Sequence, residues 1–180
     1  MGTDIAIPDL RYPIGEFRPP AVIGRVQLDG WISDLEALPC NLRKAVAALA
    51  DDQLDTPYRP GGWTVRQIVH HVADGHLNSY TRFRLALTEP TPLVKPFEPD
   101  AWAELPDAKR GPVEPSLTLL DGLHRRWVAL LRSLSDEDLR RAYRRPSGEV
   151  SVLDATLGYL AWHSRHHVAL IRSLRERQGW

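Results

Sequence analysis

Four stretches of this chain place apolar residues three and four positions apart, and no alternating run lasts longer than a few residues. The first covers about 27–49 and carries Trp31, Leu35, Leu38, Leu42, Val46 and Leu49. The second covers about 64–88, with a stripe of Val65, Val69, Val72, Tyr80, Phe83 and Leu87. The third, about 116–134, carries Leu120, Leu123, Trp127, Leu130, Leu131 and Leu134, and the fourth covers about 152–176. That period belongs to helices buried along one face. The spacing therefore predicts an all-α fold, and four long helices bury their stripes most simply against one another as a four-helix bundle.

Local signals mark the ends. Thr64 and Gln67 form a capping box after Pro60-Gly61-Gly62, and Ser116 opens a helix after Pro115. Pro39 lacks an N–H and is expected to kink the first helix. Pro8, Pro13, Pro19 and Pro20 predict an extended segment over 1–26. Residues 89–115 hold seven prolines and no helical period beyond a turn near Asp100–Glu104. So long a connection is expected to cross the bundle end, or to serve as a lid or dimer arm. At 180 residues the chain reads as a single domain over 1–180.

The chain also repeats itself. Ala50-Asp51-Asp52-Gln53-Leu54-Asp55-Thr56-Pro57-Tyr58-Arg59 leaves the first helix, and Ser135-Asp136-Glu137-Asp138-Leu139-Arg140-Arg141-Ala142-Tyr143-Arg144 leaves the third. Both follow the pattern small-Asp-x-x-Leu-x-x-x-Tyr-Arg, which predicts two related helical hairpins and makes the second and fourth helices counterparts.

Charge and cysteine narrow the function classes. Lys plus Arg and Asp plus Glu number 23 each, so no basic field awaits a nucleic-acid backbone. The single cysteine, Cys40, permits no internal disulfide and reads as a packing residue. No signal peptide or membrane span is evident, so a cytoplasmic protein is expected.

The fourth helix contains the informative anomaly. Its seam runs Leu153, Thr156, Leu160, His163, His167, Leu170 and Leu174, so two imidazoles one turn apart occupy core positions. His166 lies off the seam beside Trp162. Burying an imidazole without a partner costs about 1–3 kcal/mol. A metal ion removes that cost, because two histidines at i and i+4 can bind one ion from a single helix turn. The motif His-Ser-Arg-His-His lacks the glutamate of a His-Glu-x-x-His peptidase. A third ligand must come from elsewhere, most simply the counterpart helix. There His76 falls on the apolar stripe and His71 on its margin, and periodicity does not choose between them. His124 carries no signal beyond that of a surface residue.

The segments GGWTVRQIVHHVADGHLNSYTRFRLALTE and YLAWHSRHHVALI, with YPIGEF, LDTPYRPGGW and RWVALLRSLSDEDL, resemble the DinB/YfiT-like superfamily, in particular its YfiT branch of metal-dependent hydrolases. The resemblance spans almost the whole chain. It implies a four-helix bundle with up-down-down-up topology, a homodimer, and a divalent metal held by three histidines. The ligand on the second helix is the histidine followed by an aliphatic residue, a small residue and an acid, which here is His71 before Val72, Ala73 and Asp74. The pair on the fourth helix matches His163 and His167. Asp74 and His76 then become candidates for holding a ligand or a water in place.

Three nitrogen ligands leave a coordination position open, the mark of a catalytic site, and zinc or nickel suits imidazole. Hydrolysis of a small-molecule substrate is the first reading. Transfer of a low-molecular-weight thiol such as bacillithiol or mycothiol, implied by the wider superfamily, is the second. A non-catalytic bundle is the third, since no Glu or Asp is clearly placed as a base.

Overall fold

The computed structural model describes residues 9–180, so the first part of the expected extended segment lies outside the described residues. The four periodic stretches form helices α1 (Arg25–Val46), α3 (Val65–Thr88), α6 (Glu114–Ser133) and α8 (Leu153–Gln178). Between them lie the one-turn helices α2 (Asp51–Leu54), α4 (Pro99–Ala103), α5 (Pro106–Arg110) and α7 (Asp136–Leu139), and a hairpin of β1 (Ala142–Arg144) and β2 (Val150–Val152). Helix α1 packs on α6 and α8, and α3 packs on the same two from the other side. No helix among the described residues is long and apolar enough to cross a membrane.

Capping chemistry sets the boundaries as anticipated at α3, where Thr64 Oγ1 accepts from the Gln67 N–H at 3.1 Å and Gln67 Oε1 accepts from the Thr64 N–H at 2.9 Å. Helix α6 starts earlier than expected, at Glu114, because Pro115 fits the first turn, where its missing N–H has no role. Helix α8 closes on Gly179, whose φ of 72° is the left-handed conformation that glycine adopts freely.

The core is two apolar clusters. One gathers Trp31, Leu35, Phe83, Trp127, Leu157 and their neighbours, and the other Leu38, Leu42, Ile68, Val72, Leu120, Ile171 and theirs. Between them, at one level of the bundle, lie the buried side chains of His76, His124, His163 and His167. Close approach of α1 to α8 depends on Gly158: a Cβ there would meet the Trp31 ring at 2.7 Å.

Three expectations need correction. The 89–115 crossover contains α4 and α5, each opened by a proline and packed on α3. Gln67 Nε2 donates to the Ala103 carbonyl at 2.8 Å, and the buried Arg66 guanidinium donates to the Gly111 carbonyl and bonds Asp51 and Asp55. The N-terminal segment turns between Asp9 and Gly15 before it extends, and the Trp162 indole fastens it by donating to the Gly15 carbonyl at 3.0 Å. Cys40 is exposed on α1, not packed.

Both halves of the repeat take one form. The one-turn helices α2 and α7 end in the buried Leu54 and Leu139, and each following long helix is tied to its connector by one backbone bond. These are Val65 N–H to Thr56 O at 3.2 Å and Leu153 N–H to Arg141 O at 2.9 Å. The β1–β2 hairpin, which no periodicity announced, sits in the second connector, and the crossover begins along it through Val94 N–H to Arg144 O and Arg144 N–H to Pro92 O, both 2.9 Å.

Candidate metal centre

Helices α3 and α8 bring three imidazoles to one point. His163 Nε2 lies 3.2 Å from His71 Nε2 and 3.1 Å from His167 Nε2. One ligand atom from each of the three falls within 4.8 Å of the others. The stagger of His163 and His167 along α8 sets their rings edge to face, centroids 4.4 Å apart, one helical turn from each other. His71 enters from α3, its ring 5.3 Å from that of His163 and 4.8 Å from that of His167.

Burial sets the protonation state. Desolvation holds His71 down to about 4, with the charge of His166 adding to it. The same cause pushes His163 and His167 well below the ordinary imidazole value, each helped by the other rings. All three are therefore neutral at pH 7. A neutral imidazole nitrogen offers either one hydrogen or one lone pair, so His163 Nε2 can be matched to one of its two neighbours and not to both. The Nδ1 atoms of all three are buried without a hydrogen-bond partner among the described residues. A cation drawing on three lone pairs removes the mismatch, and an all-imidazole donor set suits a divalent first-row ion.

On the side away from the cleft the Trp63 ring stands 4.5 Å from His71 and lies nearly parallel to His167 at 6.5 Å, whereas Phe97 of the crossover, 6.3 Å from His71, lines the cleft itself. On the near side the cluster meets a cleft of about 450 Å³ lined by His71, Gly75, Phe97, Tyr159 and His163, with Arg82 and Arg145 at its rim. Gly75 keeps the floor clear, since a Cβ there would stand 3.9 Å from the His163 ring and 3.8 Å from Phe97.

The remaining candidates occupy distinct places. His76, wholly buried, sits beside His163 with ring centroids 5.5 Å apart, and neither of its nitrogens has a hydrogen-bond partner among the described residues. The Asp74 carboxylate makes no hydrogen bond to any of the three rings; burial and then the nearby charge of Asp107 raise it to about 6. His70 points away, with Nδ1 2.8 Å from Ser116 Oγ. His166, read as a flanking residue, is buried and stacks on Trp162 at 4.6 Å.

His124 overturns its surface reading. It is buried, and its Nδ1–H donates to the Leu35 carbonyl at 2.6 Å. Leu35 lies four residues before Pro39, so the proline leaves that carbonyl without its helical donor, and His124 supplies one. Only the pairing of α1 with α6 reveals this. Sequence reasoning also missed Trp63, Phe97, Arg82, Arg145 and Tyr159 as neighbours of the site. Gly75, in the middle of a helix, was the one signal available for the cleft.

A helical bundle with a three-histidine cluster opening on a cleft defines the class: a helical protein with a group of side chains that could hold one metal ion between two helices. Comparison with known proteins gives the family. The DinB superfamily pattern matches residues 34–171, and the chain belongs to that superfamily. A Bacillus cereus protein provisionally named a metal-dependent hydrolase is 55% identical over 172 residues, covering 96% of this chain and 99% of its own. A Bacillus mycoides protein of the same provisional name is 54% identical over 172 residues, with the same coverage. YfiT from Bacillus subtilis, described as a probable metal-dependent hydrolase with an unusual four-helix bundle topology, superimposes with a TM-score of 0.91 at 51% identity. That alignment covers 95% of this chain and 98% of YfiT. The mostly helical fold is thus that of the YfiT four-helix bundle.

Proposed function

We propose that this chain is a metal-dependent hydrolase whose divalent ion, zinc or nickel, is held by His71, His163 and His167. The observation that carries the reading is the convergence of three neutral Nε2 atoms, two from buried rings and one from the half-buried His71, at 3.1 and 3.2 Å on a surface that opens into a cleft. The names of the Bacillus relatives support it. A bound ion would supply Lewis acidity, polarising the substrate and making water a competent nucleophile near neutral pH.

The chain's own residues do the rest. The three imidazoles present lone pairs and need shed no proton on binding, because burial already keeps them neutral. Trp63 and Phe97 wall the cluster from bulk water, which strengthens polar interactions inside it. Tyr159 lines the cleft with its phenol raised above the ordinary value by desolvation, so it stays protonated and can donate a hydrogen bond to a substrate oxygen. The described residues that line the cleft include no carboxylate, so the cleft wall itself would offer no Asp or Glu as a base.

Elemental analysis of protein purified without chelator tests the ligand set. About one zinc or nickel per chain is expected, with His71→Ala, His163→Ala and His167→Ala each retaining less than about a tenth. Full occupancy in any two of these variants would assign the ion elsewhere. Turnover of ester, amide and phosphoester panels, lost on chelation and restored by metal without added thiol, is the expected activity.

A further inference from the structure

We infer that the cleft beside the three histidines takes a substrate with an apolar body and a terminal oxyanion, a carboxylate or phosphate, which Arg82 and Arg145 bind. This rests on the reading of the triad as the reaction centre and adds the class of molecule that reaches it.

The cleft has an apolar lining of Val94, Pro96 and Phe97 from the crossover and Leu160 and the Tyr159 ring from α8, with Phe97 6.3 Å from the His71 ring and Tyr159 5.7 Å from the His163 ring. Two arginines, Arg82 and Arg145, also line it, and no acidic side chain among the described residues lines this cleft. A second cavity, against the β1–β2 hairpin, shares Ser79, Arg82, Arg145, Tyr159 and Leu160 with it and is lined also by Glu149, so both cations lie where the two spaces meet.

Arg82 is distinctive. Of the arginines that are not exposed, Arg43, Arg59, Arg66 and Arg175 each donate a hydrogen bond to a protein oxygen. Arg82 makes no hydrogen bond, ion pair or aromatic contact with any described residue, yet its nitrogens are not sealed from solvent. A half-buried guanidinium that reaches solvent but no protein partner keeps its donors available to a ligand in the cleft, and an anion is the ligand that such donors favour. Arg145, carried in by the hairpin, is held only at the limit of contact, 3.5 Å from the exposed Glu149. It is free to close on a ligand. A planar guanidinium pair matches the oxygens of a carboxylate or phosphate, which a neutral ligand cannot satisfy.

The test uses the full chain, zinc-loaded and metal-free, with three probes of one shape: 4-phenylbutyrate, 3-phenylpropylphosphonate and the neutral 4-phenylbutyramide. Calorimetry of metal-free protein isolates the arginines from the ion. There each anion is expected to bind about tenfold or more tightly than the amide. Arg82→Gln with Arg145→Gln should bring anion and amide to within about twofold while zinc content stays at the wild-type level. The phosphonate-to-carboxylate ratio then tells which oxyanion fits. Equal binding of anion and amide by the wild type, or an anion preference that survives both substitutions, overturns the inference. Failure of the hydrolase reading appears separately, as absence of zinc or of chelator-sensitive turnover in protein whose anion preference is intact.

Discussion

His163 faces two imidazole nitrogens at once, and that single atom explains why the cluster needs a cation. His124 shows a different solution, in which one nitrogen of a buried ring, Nδ1, finds its partner in the fold while Nε2 stays unpaired among the described residues. Its Nδ1–H replaces the donor that Pro39 removes from α1, so the two residues should be energetically coupled. His124→Leu is expected to cost about 1–3 kcal/mol by orphaning the Leu35 carbonyl. In a Pro39→Ala background the restored backbone N–H takes that carbonyl, and the same substitution should cost at least about 1 kcal/mol less. Urea midpoints of the four proteins in this cycle measure the difference. Equal cost in both backgrounds would mean that His124 serves some purpose other than the proline's orphan.

Among elements, the close approach of α1 to α8 depends on Gly158. Gly158→Ala puts a methyl group 2.7 Å from the Trp31 ring, and overpacking of this kind costs about 1–3 kcal/mol, offset by up to ~1 kcal/mol of improved helix propensity. A net loss of stability is expected, reduced when Trp31→Phe opens the space; thermal unfolding of the single and double variants checks both. The crossover is the second element-level lesson. Its prolines describe an open loop when read singly, but Pro99 and Pro106 each sit in the first turn of a short helix, where a fixed φ helps. Those turns seat Phe97 beside His71, so the segment shapes the cleft.

The whole molecule has a pH dependence that follows from its histidines. All seven lie below their ordinary value, desolvation being the first cause each time, with His71 and His124 at about 4. In the metal-free protein the unfolded chain therefore binds more protons than the folded one once the pH drops below ~6.5. Stability should be fully present above that value, fall as pH falls toward about 4, and level off once the folded rings also protonate. Asp34 and Asp74, raised by burial, oppose the trend but are two carboxyls against seven rings. Urea midpoints at pH 7 and pH 5 should differ accordingly, and saturating zinc should raise both without widening the gap, because the ligand nitrogens of the folded chain are already free of protons at both values. A metal-free protein as stable at pH 5 as at pH 7 would contradict the burial of these rings.

A capping box marked the start of α3, and periodicity carried the four long helices and the placing of His163 and His167 on one buried seam, because a helix converts spacing into direction within a single element. The repeat located its counterpart helix, and the family resemblance chose His71 over His76 where spacing could not. What spacing does not encode is distance between elements. The 3.2 Å approach of His71 to His163, the service of His124 to Pro39, the helical turns of the crossover and the hairpin that delivers Arg145 depend on how four helices settle against one another. That packing is decided by the joint shape of two apolar clusters, and no local stretch of residues contains it.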